Sequence, residues 1–310
     1  MKELNNGIKI IGLDHGYGNI KTANGIFPAS VDAHEVEPVN TNDLLVYNGK
    51  YYTIGSGHRV FTLDKVSNED HYILTLAGIA QELWYNKLTS AKVHIAAGLP
   101  LNWVVSQREA FRKYLLQNEH VEYTWRGIDY SVDIVGADVY PQGFSAILPE
   151  IKKFTGSNML CDIGNGTMNV MIINDRKPVD GRFFTEKLGT HECLKEAHEA
   201  LLARFGNEGQ DFITEQIMRT GTAEGVSPEY IEVVSGVTEA YVVKVMDTLK
   251  EHEYDPNIMR LWVVGGGGCL LEHFGHFDMN RVKINHDIHA TAKGYEYVAE
   301  RKLNSEAKSR

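Results

Sequence analysis

Two pentapeptides constrain what this chain can fold into more than any other feature. Residues 14–18 read D-H-G-Y-G and residues 162–166 read D-I-G-N-G. Both are D-x-G-x-G, and both follow an apolar run, IKIIGL before Asp14 and NMLC before Asp162. They lie 148 residues apart in a sequence of 310. Two copies of a strand–turn–strand unit, each with an aspartate at the strand end, predict two similar domains facing each other. Glycines let backbone N–H groups wrap an anion, because no Cβ intervenes and φ > 0 is accessible. An aspartate beside a phosphate is repulsive unless a divalent cation stands between them, and Mg²⁺ suits that role. Lys21 follows the first turn as a point charge for phosphate oxygens, and Thr167 adds a hydroxyl to the second. Either turn alone reads as a tight β-hairpin. Together with Lys21 they read as a nucleotide clamp.

Composition sets the limits around this reading. With 43% hydrophobic and 23% charged residues the protein is expected to be soluble and globular, with about two domains. No stretch approaches the roughly 18 apolar residues of a membrane span, and the start MKELNNGIKIIGLD lacks a signal-peptide apolar region. Cys161, Cys193 and Cys269 are too few for a disulfide framework, which points to a reducing cytoplasm. Acidic residues outnumber basic ones, 41 to 31, so broad direct DNA binding is disfavoured. The polar end, Leu303 to Arg310, is expected to fray.

Strands and helices alternate through the sequence, which predicts an α/β fold. Asn48-Gly49 and Arg126-Gly127 each divide two apolar runs as hairpin turns. Helices are expected at Ile73–Leu88, Ser106–Gln117, Gly143–Phe154, Thr190–Arg204, Asp211–Thr220 and Pro228–His252. In the last of these Ser227 is the N-cap and Pro228 the first helical residue. The stripe Ile231, Val234, Tyr241, Val245 and Leu249 in that helix is a core face. Trp125, Tyr123 and Tyr130 read as hairpin packing.

A third element is the run LWVV followed by Gly265, Gly266, Gly267 and Gly268, which permits close approach of a flat ring or sugar. Neither a dinucleotide G-x-G-x-x-G nor a Walker phosphate loop occurs. The D-x-G-x-G-x-x-K start, the mid-sequence D-I-G-N-G-T and the V-V-G-G-G-G segment, in this order, resemble the two phosphate elements and the adenosine element of the actin-like ATPase superfamily. The short length, GLPLNW at Gly98–Trp103 and the Y-G-N-I-K turn most resemble bacterial ParM/StbA-type plasmid-segregation proteins. The resemblance spans Ile8 to about Ala299.

This resemblance implies two ribonuclease-H-like domains with ATP or ADP and Mg²⁺ in the cleft between them. Domain I would be 1–155, completed by 291–310, and domain II would be 156–290. Asp14 and Asp162 would hold the metal. Gly16, Tyr17, Gly18, Asn19 and Lys21 would form the first phosphate loop, and Gly164, Asn165, Gly166 and Thr167 the second. Gln142 would orient the attacking water, since an amide is no strong base; a capping or exposed glutamine reads equally well. Residues 142–146 would be the first connector and Ala290-Thr291-Ala292-Lys293-Gly294 the second, where small residues let hinge helices cross. Asn165 and Asn169 depart from the acidic residue and the histidine of actin, which bears on hydrolysis rate. Glu215 and Arg219 are candidates for the ribose or adenine edge, with solvated surface charges as the plainer reading.

The expected function is a nucleotide-dependent filament for plasmid or replicon segregation, reaching its centromere through a DNA-binding adaptor protein. The rivals are a sugar-kinase-type phosphotransferase and a non-polymerising switch on the same fold. Cys269, His273 and His276, with His286 and His289 nearby, also allow a zinc reading, though no second compact ligand pair completes it. Ser145 lacks the flanking glycines of a nucleophile elbow.

Overall fold

The apolar run before Asp14 becomes the strand Lys9–His15, and its alternation decides what lies on each face. Ile11 and Leu13 enter the main core of their unit, while Ile10 packs with Ala96, Tyr295 and Ala299 on the opposite face. The computed structural model describes residues 1–39, 42–55, 69–278 and 280–309. The protein forms two units, Met1–Pro149 with His289–Arg310, and Glu150–Ile288.

In the first unit Ile26–Pro28, Asn19–Lys21 and Lys9–His15 form an antiparallel meander. Ser90–Leu99 then pairs parallel with Lys9–His15, and Ile128–Pro141 pairs parallel with Ser90–Leu99. The sheet continues through His120–Trp125, Leu44–Tyr47, Lys50–Ile54 and Val31–His34. In the second unit Lys177–Glu186, Met168–Asn174 and Ser157–Ile163 form the antiparallel meander. Arg260–Val264 and Val282–Ile284 follow it in parallel. Five strands of the first unit and the five of the second therefore share one order and one sequence of pairing senses, and each motif aspartate lies near the end of the equivalent strand.

Local chemistry explains most elements. Asn48 and Gly49 both have positive φ, 51° and 74°, as do Arg126 and Gly127, at 51° and 74°. These are the mirror-image turns whose twist matches a hairpin. Ser227 caps the helix Pro228–Glu251 by accepting from Tyr230 N at 3.3 Å. Val234, Tyr241, Val245 and Leu249 are buried in the core of the second unit, with Ile231 packed against it. No described helix is long and apolar enough to cross a membrane.

Two expectations are corrected. The helix expected over Gly143–Phe154 is one α-turn, Phe144–Ile147, followed by the 3₁₀ segment Leu148–Lys153. Pro149 has no N–H to donate to the Ser145 carbonyl, so an α-helical ladder cannot continue through it. The polar C-terminus is helical through Lys308 rather than frayed. Lys302 Nζ reaches the buried Asp138 carboxylate at 2.5 Å, and Leu303 packs beside Ile10 and Tyr295. Polarity alone misjudges that tail, because its anchors are two residues held by distant parts of the sequence.

Candidate functional site

Each unit carries one of the two candidate hairpins. In the first unit Asp14 stands directly opposite Lys21 across the hairpin, so both side chains leave the same face. The turn between them is tight. Gly16 N donates to Asp14 O at 3.0 Å, and a Cβ on Gly16 would meet the Asn19 carbonyl oxygen at 2.6 Å. The Gly18 carbonyl accepts from Ala29 N at 3.0 Å, tying the turn to the meander. Tyr17, Gly18 and Asn19 are half-buried within it. His15 points the other way into the core, where its Nε2 meets Thr75 Oγ1 at 2.8 Å.

Gln142 joins this group from 128 residues away. It follows the strand Ile128–Pro141, its N–H donates to Leu99 O at 2.9 Å, and Gly143 turns the backbone with φ 71°. Its Nε2 donates to Asp14 Oδ1 at 3.2 Å, and the residue is buried. The plainer reading of an exposed glutamine is thus excluded. The following turn packs on helix Ala290–Lys308, where a Cβ on Gly294 would lie 2.0 Å from Ser145 O. Small residues do permit that crossing. Ser145 itself donates to Pro141 O.

In the second unit Asp162 stands opposite Asn169 in the equivalent hairpin. Gly164 N donates to Thr167 O at 2.9 Å, which closes the turn through Asn165 and Gly166. The helix Thr190–Phe205 begins against this turn: Thr190 N donates to Gly164 O at 3.0 Å and His191 N to Asn165 O at 2.9 Å. Gly189, which the sequence reading missed, makes this approach possible. A Cβ there would lie 2.2 Å from the Asn165 carbonyl oxygen. Its only signal in the sequence is a glycine immediately before a helix start.

The glycine run reaches the same place. Gly265 has φ 86°, and a Cβ on it would meet Ile163 O at 2.5 Å and Asp162 Oδ1 at 2.6 Å. Gly267 N donates to Ile163 O at 3.0 Å. Gly266 has open space where a Cβ would be, and Gly268 begins the helix Gly268–Phe274. The helix Asp211–Thr220 packs beside that helix, with Gly221 against His273. Arg219 Nη2 donates to Glu215 Oε2 at 2.7 Å, an exposed i,i+4 pair. Burial raises the Cys269 thiol above its ordinary pKa, and the Arg219 charge opposes that shift. The helix that carries Glu215 and Arg219 thus packs beside the helix that follows the glycine run, while Gly265 at the start of that run approaches Asp162.

The zinc reading is not supported. Cys269 donates to Gly266 O and His286 pairs with Glu272 at 3.5 Å, whereas His289 belongs to the first unit and meets Thr22 O there. Among the described residues no group of three or more His, Cys, Asp or Glu could hold a metal ion. Asp14 and Asp162 are instead hard oxygen donors of the kind that hold Mg²⁺ one carboxylate at a time, the rest of its shell being water and phosphate. The cradle built by Gly265 against Asp162 Oδ1 fits that use, because a Cβ at 265 would fill it.

Residues 12–144 match the family of actin-like proteins, N-terminal domain. The archaeal actin homolog Ta0583 in complex with ADP superposes with a TM-score of 0.75 at 22% identity, over 95% of this protein and 100% of that one. Bacillus thuringiensis ParM with ATP superposes at 0.72 and 14%, over 96% and 99%. The Alp12 filament structure superposes at 0.68 and 18%, over 95% and 98%. No curated protein matches the sequence. At these identities the likeness establishes the fold.

Proposed function

We propose that this protein, actin-like in fold and in its N-terminal domain, binds and hydrolyses ATP and assembles into nucleotide-dependent filaments that segregate a plasmid or other replicon in the cytoplasm. One observation carries the reading: the same aspartate-bearing hairpin recurs at the same place in a five-strand order that both units contain. The complexes of similar proteins with ADP and ATP, and the filament formed by another, support it.

In this reading one nucleotide engages both turns. Backbone N–H groups of 16–19 and 164–167 receive phosphate oxygens, and Lys21 adds a positive charge. Asp14 and Asp162 would hold Mg²⁺, which when bound neutralises charge on the transferred phosphoryl group. Gln142, fixed through its bond to Asp14, orients water for attack and neither gains nor loses a proton. Gly265–Gly268, with Glu215 and Arg219 beside them, receive the nucleoside. Hydrolysis removes the γ-phosphate and with it part of what engages the two turns, so subunit contacts favoured by ATP weaken. The net charge of −10 favours an adaptor over direct DNA contact.

Sedimentation and light scattering test the proposal. ATP and a non-hydrolysable analogue should give sedimentable filaments, and ADP should raise the critical concentration. Absence of assembly with every nucleotide across a wide protein range would overturn the filament reading. Phosphate release without assembly would then favour the switch, and phosphoryl transfer to a sugar the phosphotransferase.

A further inference from the structure

Asp162, Asn169 and Thr185 stand in one row across three neighbouring strands. Asp162 is directly opposite Asn169, and Asn169 directly opposite Thr185. Side chains so paired leave the same face of the sheet. Asn169 is 5% exposed, and its Oδ1 accepts from Thr185 Oγ1 at 2.8 Å. An amide has one accepting end and one donating end. With the oxygen held on the Thr185 side, the Nδ2 donors are turned the other way, which along this row is the side of Asp162.

The equivalent row of the first unit is Asp14, Lys21 and Ile26. There the residue opposite the aspartate carries a charge, and the next has no hydrogen-bonding side chain. The repeat is therefore symmetric in backbone and asymmetric in chemistry. An amide donor can fix a carboxylate and leave its charge available to a metal ion, as Gln142 Nε2 does at Asp14 from outside its row. The geometry points to Thr185 and Asn169 as a positioning pair for Asp162: the hydroxyl locks the amide, and the amide sets the carboxylate that would hold Mg²⁺ through water. This rests on the ATPase reading above. Neither residue touches the reacting phosphate in it.

Thr185→Val removes the hydroxyl while keeping shape and strand preference, and Thr185→Ser retains it. Partners that orient a metal-binding carboxylate typically change metal affinity or activity by about 10- to 100-fold. Thr185→Val should raise the Mg²⁺ concentration for half-maximal hydrolysis and lower kcat within that range. The KM for ATP and the thermal midpoint should stay near those of the parent, and Thr185→Ser should recover most of kcat. Asn169→Ala should repeat the Thr185→Val profile, and the double variant should be no worse than either single one. If Thr185→Val hydrolyses ATP with the parent's kcat and Mg²⁺ dependence, the positioning role is wrong and the ATPase reading stands. A parent protein that hydrolyses no ATP overturns both. Equal losses in Thr185→Val and Thr185→Ser, accompanied by a lower thermal midpoint, would make the role structural and overturn the proposal.

Discussion

Gln142 donates its side-chain amide to the carboxylate of Asp14 across 128 residues of sequence, at 3.2 Å. Two strand ends are thereby joined at one point, and the glutamine's orientation is fixed before any substrate arrives. Gln142→Ala should keep ATP affinity within about twofold and slow phosphate release by roughly 10- to 100-fold, the scale of a lost positioning contact. Filaments should persist longer as a result. The check is a phosphate-release assay beside equilibrium binding of a fluorescent ATP analogue. A variant that hydrolyses normally but fails to bind would assign Gln142 a structural role instead.

Asp162→Ala removes a half-buried carboxylate whose neighbour is the cradle formed by Gly265. Its effect should fall on chemistry rather than folding. Losing one charge-stabilising contact in a transition state costs about 2–4 kcal/mol, or roughly 30- to 1000-fold in rate. Turnover at saturating ATP and Mg²⁺ measures this, with the thermal midpoint as the control. Parent-level turnover would remove Asp162 from the site.

Two glycine substitutions should have opposite signs. Gly236 lies exposed in the helix Pro228–Glu251 with open space where a Cβ would be, so Gly236→Ala should stabilise by about 0.5–1 kcal/mol. Gly189→Ala places a methyl group 2.2 Å from the Asn165 carbonyl oxygen and must push helix and turn apart. Such overpacking costs about 1–3 kcal/mol, and nucleotide affinity should fall with it. Urea unfolding of both variants, with and without ATP, reads the contrast.

Glu296 and Glu82 share the Met1 ammonium, at 3.4 and 2.8 Å, and both carboxylates are buried. Burial acts to raise Glu82, but the ammonium, Thr22 and Asn24 outweigh it and hold it below its ordinary value. Burial dominates at Glu296 and raises it to about 7, against the pull of the ammonium and of Gly12 N–H. The folded protein therefore keeps this proton in a range where the unfolded one has lost it. The associated stability is full below the ordinary carboxylate range and is lost as pH rises through about 7, roughly 3 kcal/mol in all. Glu296→Gln should flatten the fall in urea midpoint between about pH 5 and pH 8, the window that this shift spans. An unchanged slope would show that another group sets it.

The turns were legible because their chemistry is local. Asn48-Gly49 and Arg126-Gly127 adopt the expected positive φ values, and Ser227 caps the expected helix, since each depends on residues within a few positions. The repeated D-x-G-x-G was legible for the same reason: a short turn of glycines after an apolar strand is a local structure. By contrast, the strand Lys177–Glu186 carries no apolar alternation and is largely exposed, so neither it nor the place of Thr185 was visible. Gly189 looked like any glycine before a helix, because its restriction comes from the Asn165 carbonyl, a contact made only on folding.

Nearest-neighbour chemistry and periodicity are enough to specify the pair of hairpins with their aspartates, the α/β alternation and the apolar faces, and all of these can be read from the residues in order. Which distant groups meet those hairpins is settled only by folding. Gln142 reaches Asp14, Gly265 reaches Asp162, and Lys302 reaches Asp138. The first two meetings follow from strand order and register, because a parallel neighbour arrives only after a long crossover and no short window of sequence specifies where it will pair, whereas Lys302 arrives on the helix Ala290–Lys308.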